Sequence, residues 1–233
     1  MGLSHLLRRS PLFAELKDED LQRLESSLIR RRYPKGQVIF HRGDEGGSLY
    51  ILQKGRVKVV IPSPRGEEMI LAILSEGEIM GELSLIDGKR RSATVETLEE
   101  TEVLCLRRED FLELLRMSFD AAIKVMQVLA QRLRSADALL AETHFLDVSS
   151  RVARKLLELG RAFGHVTEEG IRIGVKVTQK DLASMVGATR ESVNKQLKWF
   201  RTQGLVRSEG GYFVLCDPVR LARRGRLGSG EEI

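Results

Sequence analysis

The sequence predicts an α+β chain in three parts: an N-terminal β-barrel of the jelly-roll kind, a long helix that pairs with its own copy, and a C-terminal winged helix-turn-helix. Three observations predict it. Between Tyr33 and Leu106, short β-rich runs alternate with turn signals spaced about eight to twelve residues apart. From roughly 118 to 145, apolar residues step along the chain by four and three. Between Thr178 and Val206, two short amphipathic segments flank a glycine and lead into a hairpin.

Residues 11–33 open with Pro11 and set Phe13, Leu16, Leu21, Leu24 and Leu28 at helical spacing, which predicts a short helical lead-in before β-structure starts at Tyr33. The runs QVIF, SLYIL, VKVVI, MILAIL, ATVET and EVLCL then read as strands. Turn residues separate them: Pro34-Lys35-Gly36, Gly43, Gly46-Gly47, Gly55, Pro64-Arg65-Gly66, Gly77 and Asp87-Gly88. Gly81 to Leu85 reads as the end of a strand before the Asp87-Gly88 turn, with re-entry into β-structure at Thr94.

After RREDFLELL, the residues Ala122, Met126, Leu129, Leu133, Ala136, Leu140 and Thr143 form an apolar seam beside Lys124, Arg132, Arg134 and Glu142. Such a seam predicts a parallel homodimer, set against the plainer alternative of a helix packed only on its own barrel. FLDVSS breaks the pattern. Asp147 marks a hinge, and Ser149 or Ser150 is the expected cap of a new helix, RVARKLLELGRAF. IRIGVKV reads as a strand. In TQKDLASMVGATRESVNKQLKWFRTQGLV, Thr178 (with Asp181 three residues on) and Thr189 are N-caps, Gly187 makes the tight turn and Gly204 the C-terminal cap. LVRSEGGYFVL closes a hairpin at Gly210-Gly211. The expected domains are 1–117, 118–147 and 148–233, with the tail ARRGRLGSGEEI expected to be disordered.

Composition narrows the function. Of 233 residues, 42% are hydrophobic and 30% charged, which suits a globular, soluble chain. No apolar run approaches the roughly eighteen residues of a membrane span, and MGLSHLLRRSPLF lacks the order of a signal peptide, so a cytoplasmic location and no membrane partner are expected. Cys105 and Cys216 stand far apart among apolar residues and read as reduced thiols. His5, His41, His144 and His165 are scattered, so no metal site is assigned. There is no G-x-S-x-G elbow, Walker loop or dinucleotide glycine motif, and no catalytic residue is assigned. Residues 149–233 hold 16 Lys+Arg against 9 Asp+Glu, a balance of +7, while residues 1–148 hold 22 against 24, a balance of −2. A basic C-terminal part suits double-stranded DNA.

If the helix that starts near Arg190 lies in a major groove, Arg190, Glu191, Asn194 and Lys195 face base edges. Arginine donates to guanine and glutamate accepts from cytosine, so G and C contacts are expected. Thr178, Thr189, Ser192 and Lys198 are placed for phosphates. In the first part of the chain, GELSLIDGKRRSATVET sets Glu82 ahead of Arg91, Ser92, Ala93 and Thr94. An arginine beside a small hydroxyl residue and free backbone amides can receive one phosphate, and a nearby carboxylate can accept a ribose hydroxyl. The plain alternative is a Glu82–Arg91 ion pair at a loop edge.

These stretches together resemble the cyclic AMP receptor protein/FNR family of bacterial transcription regulators over nearly the whole chain. GELSLIDGKRRSA resembles the family's phosphate-binding cassette, FLDVSSRVA its hinge, and TQKDLASMVGATRESVNKQL its DNA-reading helix pair. The resemblance implies an N-terminal cyclic-nucleotide-binding β-roll. Glu82 would meet the ribose 2′-hydroxyl, Arg91 and Ser92 the cyclic phosphate, and Gly81, Leu83 and Ala93 would line the pocket. Arg190, Glu191 and Lys195 would read bases, and RNA polymerase would be a partner.

Two positions depart from the family pattern. Where members that bind cyclic AMP present a Thr-Ser or Thr-Asn pair to the adenine, this chain has Ala136 and Asp137. Asp137 can accept from an exocyclic amine of adenine or guanine, or its charge can reject the base and leave the pocket without a ligand. Lys195 replaces a usual arginine, keeping a donor but losing the fork. The expected function is a non-enzymatic, homodimeric regulator that answers a cyclic nucleotide such as cAMP and binds a palindromic DNA site. The alternatives are a ligand-independent regulator of the same fold and a cyclic-nucleotide-responsive regulator of a partner protein.

Overall fold

The computed structural model describes residues 7, 8, 10, 13, 18–64 and 66–225. The chain forms two compact units, 1–134 and 135–233.

In the first unit, helix α1 (Asp18–Ser27) is followed by strand β1 (Ile29–Tyr33). The lead-in helix therefore ends sooner than its apolar spacing suggests, and β-structure begins four residues before Tyr33. This strand, IRRRY, exposes Ile29 to Arg32 and buries Tyr33, and it pairs as an edge strand with β8 (Thr101–Arg107), from Ile29 opposite Cys105 to Tyr33 opposite Thr101. Leu16 and Pro11 of the lead-in lie outside the described residues.

The other strands are β2 (Val38–Phe40), β3 (Ser48–Lys54), β4 (Val57–Pro62), β5 (Glu68–Leu74), β6 (Ile79–Met80), β7 (Thr94–Thr97) and β8 (Thr101–Arg107). They make two antiparallel four-stranded sheets, β1-β8-β3-β6 and β2-β7-β4-β5. The apolar β3 run explains itself through its two faces. Tyr50 and Leu52 point into a core shared with Phe40, Val57, Leu74, Val95 and Val103 of the other strands. Leu49 and Ile51 point the other way, to Leu21, Leu24, Phe111, Leu114, Ala121 and Val125 on helices α1, α3 (Arg108–Met117) and α4 (Phe119–Phe145).

GELSL is not the end of a strand. β6 stops at Met80, Gly81 turns at φ 85, and Glu82–Asp87 forms helix α2, which ends at Gly88 with φ 70. The burial pattern gives the reason: Glu82, Ser84 and Leu85 are inside while Leu83 and Ile86 are exposed, a helical spacing where a strand would alternate.

The second unit contains the end of α4 and α5 (Val148–Phe163), which buries Val152, Ala153, Leu156, Leu157 and Leu159. The α5 cap is Asp147, whose Oδ1 accepts from Ser150 N at 2.7 Å, and neither Ser149 nor Ser150 serves as the cap. A four-stranded sheet, β11-β12-β10-β9, follows: β9 (Gly164–Thr167), β10 (Gly170–Ile173), β11 (Val206–Glu209) and β12 (Tyr212–Leu215). IRIGVKV contributes only its first residues to β10, and its partner strand β9 has no counterpart in the sequence reading. The tail also needs correction. Asp217 caps helix α8 (Pro218–Arg224), which buries Leu221 and Ala222, so the start of ARRGRLGSGEEI is helical; residues 226–233 lie outside the described part.

Candidate ligand cassette and nucleic-acid interface

The cassette lies between β6 and β7 of the β-roll. Arg91, 4% exposed, reaches inward from the loop before β7. Its Nη1 donates to Gly81 O at 2.6 Å and Ser84 Oγ at 2.8 Å, and its Nη2 donates to Ser48 O at 2.6 Å. The guanidinium carbon lies 4.4 Å from the Phe40 ring centroid and 5.7 Å from that of Tyr50. Burial pulls Arg91 below the ordinary guanidinium value, against the fields of Tyr50, Glu82 and Asp44, which raise it. Backbone bonds from Arg91 N to Asp44 O and from Gly43 N to Arg91 O, both 2.9 Å, tie the loop before β3 to the cassette. Gly81 needs its missing side chain twice over, for its left-handed φ and because a Cβ there would run into Arg91 Nη1.

Glu82 is 1% exposed and does not pair with Arg91. Its Oε1 accepts from Arg132 Nη1 of α4, whose Nη2 donates to Ile79 O at 2.6 Å. The plain ion-pair alternative is thereby replaced by a different pair, Glu82 with Arg132. Two buried atoms at this site have no hydrogen-bond partner: Arg91 Nε, a donor, and Glu82 Oε2, an acceptor. Buried polar groups left in this state are rare enough to call for a reason. Protein acceptors hold both Nη atoms of Arg91 and leave its Nε side open, while Arg132 holds one Glu82 oxygen and leaves the other.

Of the other expected cassette residues, Gly81 is half-buried and bonded to Arg91, Ala93 is buried, and Ser92 and Leu83 are exposed. Asp137 is exposed on α4. Ser84, Ser48, Phe40 and Arg132 were not legible as site residues. A buried glutamate requires a cation, but nothing in the order of residues points fifty positions on to Arg132.

In the second unit, helices α6 (Gln179–Val186) and α7 (Arg190–Thr202) meet at Gly187, φ 60. Thr178 and Asp181 form a reciprocal capping box, and Thr189 Oγ1 accepts from Ser192 N at 3.2 Å and donates to Ser192 Oγ at 2.9 Å. The hydroxyls of Thr178, Thr189 and Ser192 are thus already engaged in caps. Val193, Leu197 and Phe200 are buried, which turns Arg190, Glu191, Asn194, Lys195 and Lys198 outward together. Arg151 of α5 was missed by sequence reasoning: its Nη1 donates to Val186 O at 2.6 Å and Gly187 O at 3.2 Å, fixing the turn between the helices. Behind the hairpin turn at Gly210-Gly211, Arg201 Nη2 donates to Ser208 Oγ at 2.9 Å, joining α7 to the wing.

A β-roll with a buried arginine cassette, followed along the chain by a winged helix-turn-helix, defines a transcription regulator with a nucleotide-binding-type domain and a DNA-binding domain. The family model for the cyclic nucleotide-binding domain matches residues 30–118, and that for the Crp-like helix-turn-helix domain matches residues 150–224. The chain is 34% identical over 226 residues to the CRP-like cAMP-activated global transcriptional regulator of Mycobacterium tuberculosis, covering 96% of this chain and 100% of the relative. It is 37% identical over 201 residues to the cyclic AMP receptor protein of Thermus thermophilus, covering 86% and 90%. Among solved structures, the c-di-GMP-responsive global regulator CLP of Xanthomonas campestris superposes with a TM-score of 0.74 at 28% identity, covering 86% of this chain and all of that one. The chain belongs to the cyclic AMP receptor protein/FNR family of transcription regulators, whose members bind and regulate and are not enzymes. Among the described residues no helix is long and apolar enough to cross a membrane, and no cluster of His, Cys, Asp and Glu could hold a metal ion.

Proposed function

We propose that this regulator is a homodimer that binds cyclic AMP or a close relative in its β-roll and, in response, reads a palindromic DNA site. One observation carries the ligand half: the orphaned donor Arg91 Nε and the orphaned acceptor Glu82 Oε2 are complementary to a phosphate oxygen and a sugar hydroxyl. Arg91 would hold the phosphate and Glu82 the ribose hydroxyl. Gly81, Leu83, Ser92 and Ala93 surround them in sequence, and Asp137 bears on the choice of base. The ligand supplies the missing donor and acceptor. Because Glu82 is already bonded to Arg132, any change at Glu82 is felt on α4 directly.

The dimer half is supported by α4. Its Ala121 and Val125 are buried in its own unit, with Val128 and Leu129 packed against the same core. On another face Phe119, Met126, Leu133 and Leu140, seven residues apart, are 76%, 52%, 63% and 70% exposed. Met126, Leu133 and Leu140 of the expected seam lie on that row while Leu129 packs on its own core, so the row supplies one of the two positions per heptad that a two-stranded coiled coil uses. Residues 118–147 would then join the roll, 1–117, to the reader, 148–233. A two-fold dimer presents its reading helices one DNA turn, about 34 Å, apart, with Arg190, Glu191, Asn194 and Lys195 at base edges and Thr178, Thr189, Ser192 and Lys198 beside phosphates. RNA polymerase is the expected partner of the bound complex.

Asp137 favours a second reading, in which its carboxylate excludes the base and the regulator binds DNA without a ligand. Calorimetric titration of the protein with cyclic AMP and cyclic GMP, beside Arg91→Ala, separates the two. Saturable heat that is lost in the variant supports the first. No heat from protein that still retains a palindromic site supports the second.

A further inference from the structure

The sequence leaves its C-terminal end without a role, yet the end of helix α8 is bonded at several points to the start of α5. Arg224 uses both its main chain and its side chain on the start of α5. Its carbonyl accepts from Ser150 Oγ at 3.1 Å, and its Nε donates to Ser149 Oγ at 2.8 Å. Its Nη2 lies 3.7 Å from Oδ2 of Asp147, the residue that caps α5. The next residue continues the seam: Gly225 O accepts from Arg154 Nε at 2.9 Å, and Arg154 Nη1 donates to Glu142 Oε1 of α4 at 3.2 Å. The serines that the sequence offers as caps are thus held by the C-terminal helix.

The same guanidinium faces the reading helix. Its carbon lies 5.7 Å from the ring centroid of Trp199, which follows Lys195 by one turn on α7, and Trp199 packs edge-on against the buried Phe200 at 5.6 Å. One side chain therefore touches the start of α5, at Asp147 and Ser149, and the helix that carries Arg190, Glu191, Asn194 and Lys195. A planar guanidinium suits both tasks at once, since its edge donates hydrogen bonds while its face stacks on a ring.

We infer that Arg224 is a positioning residue for DNA reading: α8 is a clasp that fixes the reading helix α7 against the first turn of α5. The contacts are local to the second unit and make no use of the cassette. The clasp also carries its own reporter, because Trp199 is the single tryptophan of the chain.

The test uses the full chain, wild type and three variants: Arg224→Ala, Arg224→Lys and Ser149→Ala. Two readouts are taken: Trp199 emission, and affinity for two labelled duplexes at one salt concentration, one selected from a randomised pool by the wild type and one of random sequence. Arg224→Ala is expected to shift the emission and to lose about tenfold on the selected duplex, with no more than about a twofold loss on the random one. Arg224→Lys keeps the charge and loses the fork, so it recovers the random duplex and remains at least about threefold weak on the selected one. Ser149→Ala, which removes one acceptor and leaves the arginine in place, loses about threefold on the selected duplex and carries the test if Arg224→Ala does not fold. Wild-type affinity for the selected duplex in Ser149→Ala and Arg224→Ala, or full rescue by lysine, overturns the inference.

Discussion

The proposed cassette and the proposed reading helix would be opposite solutions to the same requirement, a set of polar groups available to a partner. In the cassette the groups face inward: Arg91 and Glu82 are buried, three protein acceptors and one protein donor hold them, and one atom of each is left unpaired. On α7 they face outward, and every hydroxyl near the helix start is already used in a cap. A small ligand must replace water completely, so its site is recognisable by unmet hydrogen bonds inside the protein. DNA presents its own solvated surface, and its site is recognisable by exposed donors on a rigid, well-capped element.

The largest expected effect tests the inward site. Arg91→Ala removes a buried charged donor and should weaken cyclic nucleotide binding by about 3 kcal/mol, more than a hundredfold, in a calorimetric titration. Binding to random-sequence DNA should be unchanged; if nucleotide affinity survives, Arg91 is only a strut between Gly81, Ser84 and Ser48. Next is the outward site. Arg190→Ala should cost about 2 kcal/mol on a selected palindrome and relax specificity at one base pair, and equal loss on specific and random DNA would defeat the base-reading role. Smaller still, Thr178→Ala removes one side of the capping box and should lower the stability of the unit by about 1 kcal/mol in urea unfolding, with the melting of the β-roll unaffected.

The last effect vanishes at neutral pH and appears only in alkaline solution. Burial raises the Cys105 thiol from an ordinary 9.0 to about 11, with Arg31 pulling modestly the other way. The folded state therefore favours the protonated thiol. This contribution to stability is full below pH 9 and is lost as pH climbs toward 11. Alkylation of Cys105 in the native protein should stay slow at pH 8 and become fast on unfolding; fast native alkylation at pH 8 would show that the core around β8 opens readily.

What the sequence discloses of each region follows from how local its physics is. The reading motif is almost wholly legible, because caps, turn glycines and the apolar stripe of α7 act within a few residues of one another: Thr178 with Asp181, Thr189 with Ser192, Gly187 between them. The cassette is legible only in its motif. Glu82 and Arg91 stand out in GELSLIDGKRRSA, but the atoms that hold them come from Ser48 and Arg132, which chain order does not bring together. The helical character of α2 was hidden by its shortness and by an apolar composition that fits a strand equally well. β9 escaped because GHVT is too short and too polar to signal a strand, and it forms by pairing with β10. Ser149 and Ser150 look like caps and are not, since Asp147 precedes them and Arg224 engages them from seventy-odd residues away.

On the proposed function, occupancy of the buried site governs use of the exposed one. The most direct measurement is the affinity of the full-length protein for a palindromic duplex, selected from a random pool, with and without saturating cyclic AMP, in the wild type and in Arg91→Ala. The nucleotide is expected to tighten wild-type binding by about 1 to 3 kcal/mol, or roughly five- to 150-fold, and to leave Arg91→Ala unmoved. Equal affinity of the wild type in both conditions would contradict it and leave the cassette a structural element of a regulator that reads DNA on its own.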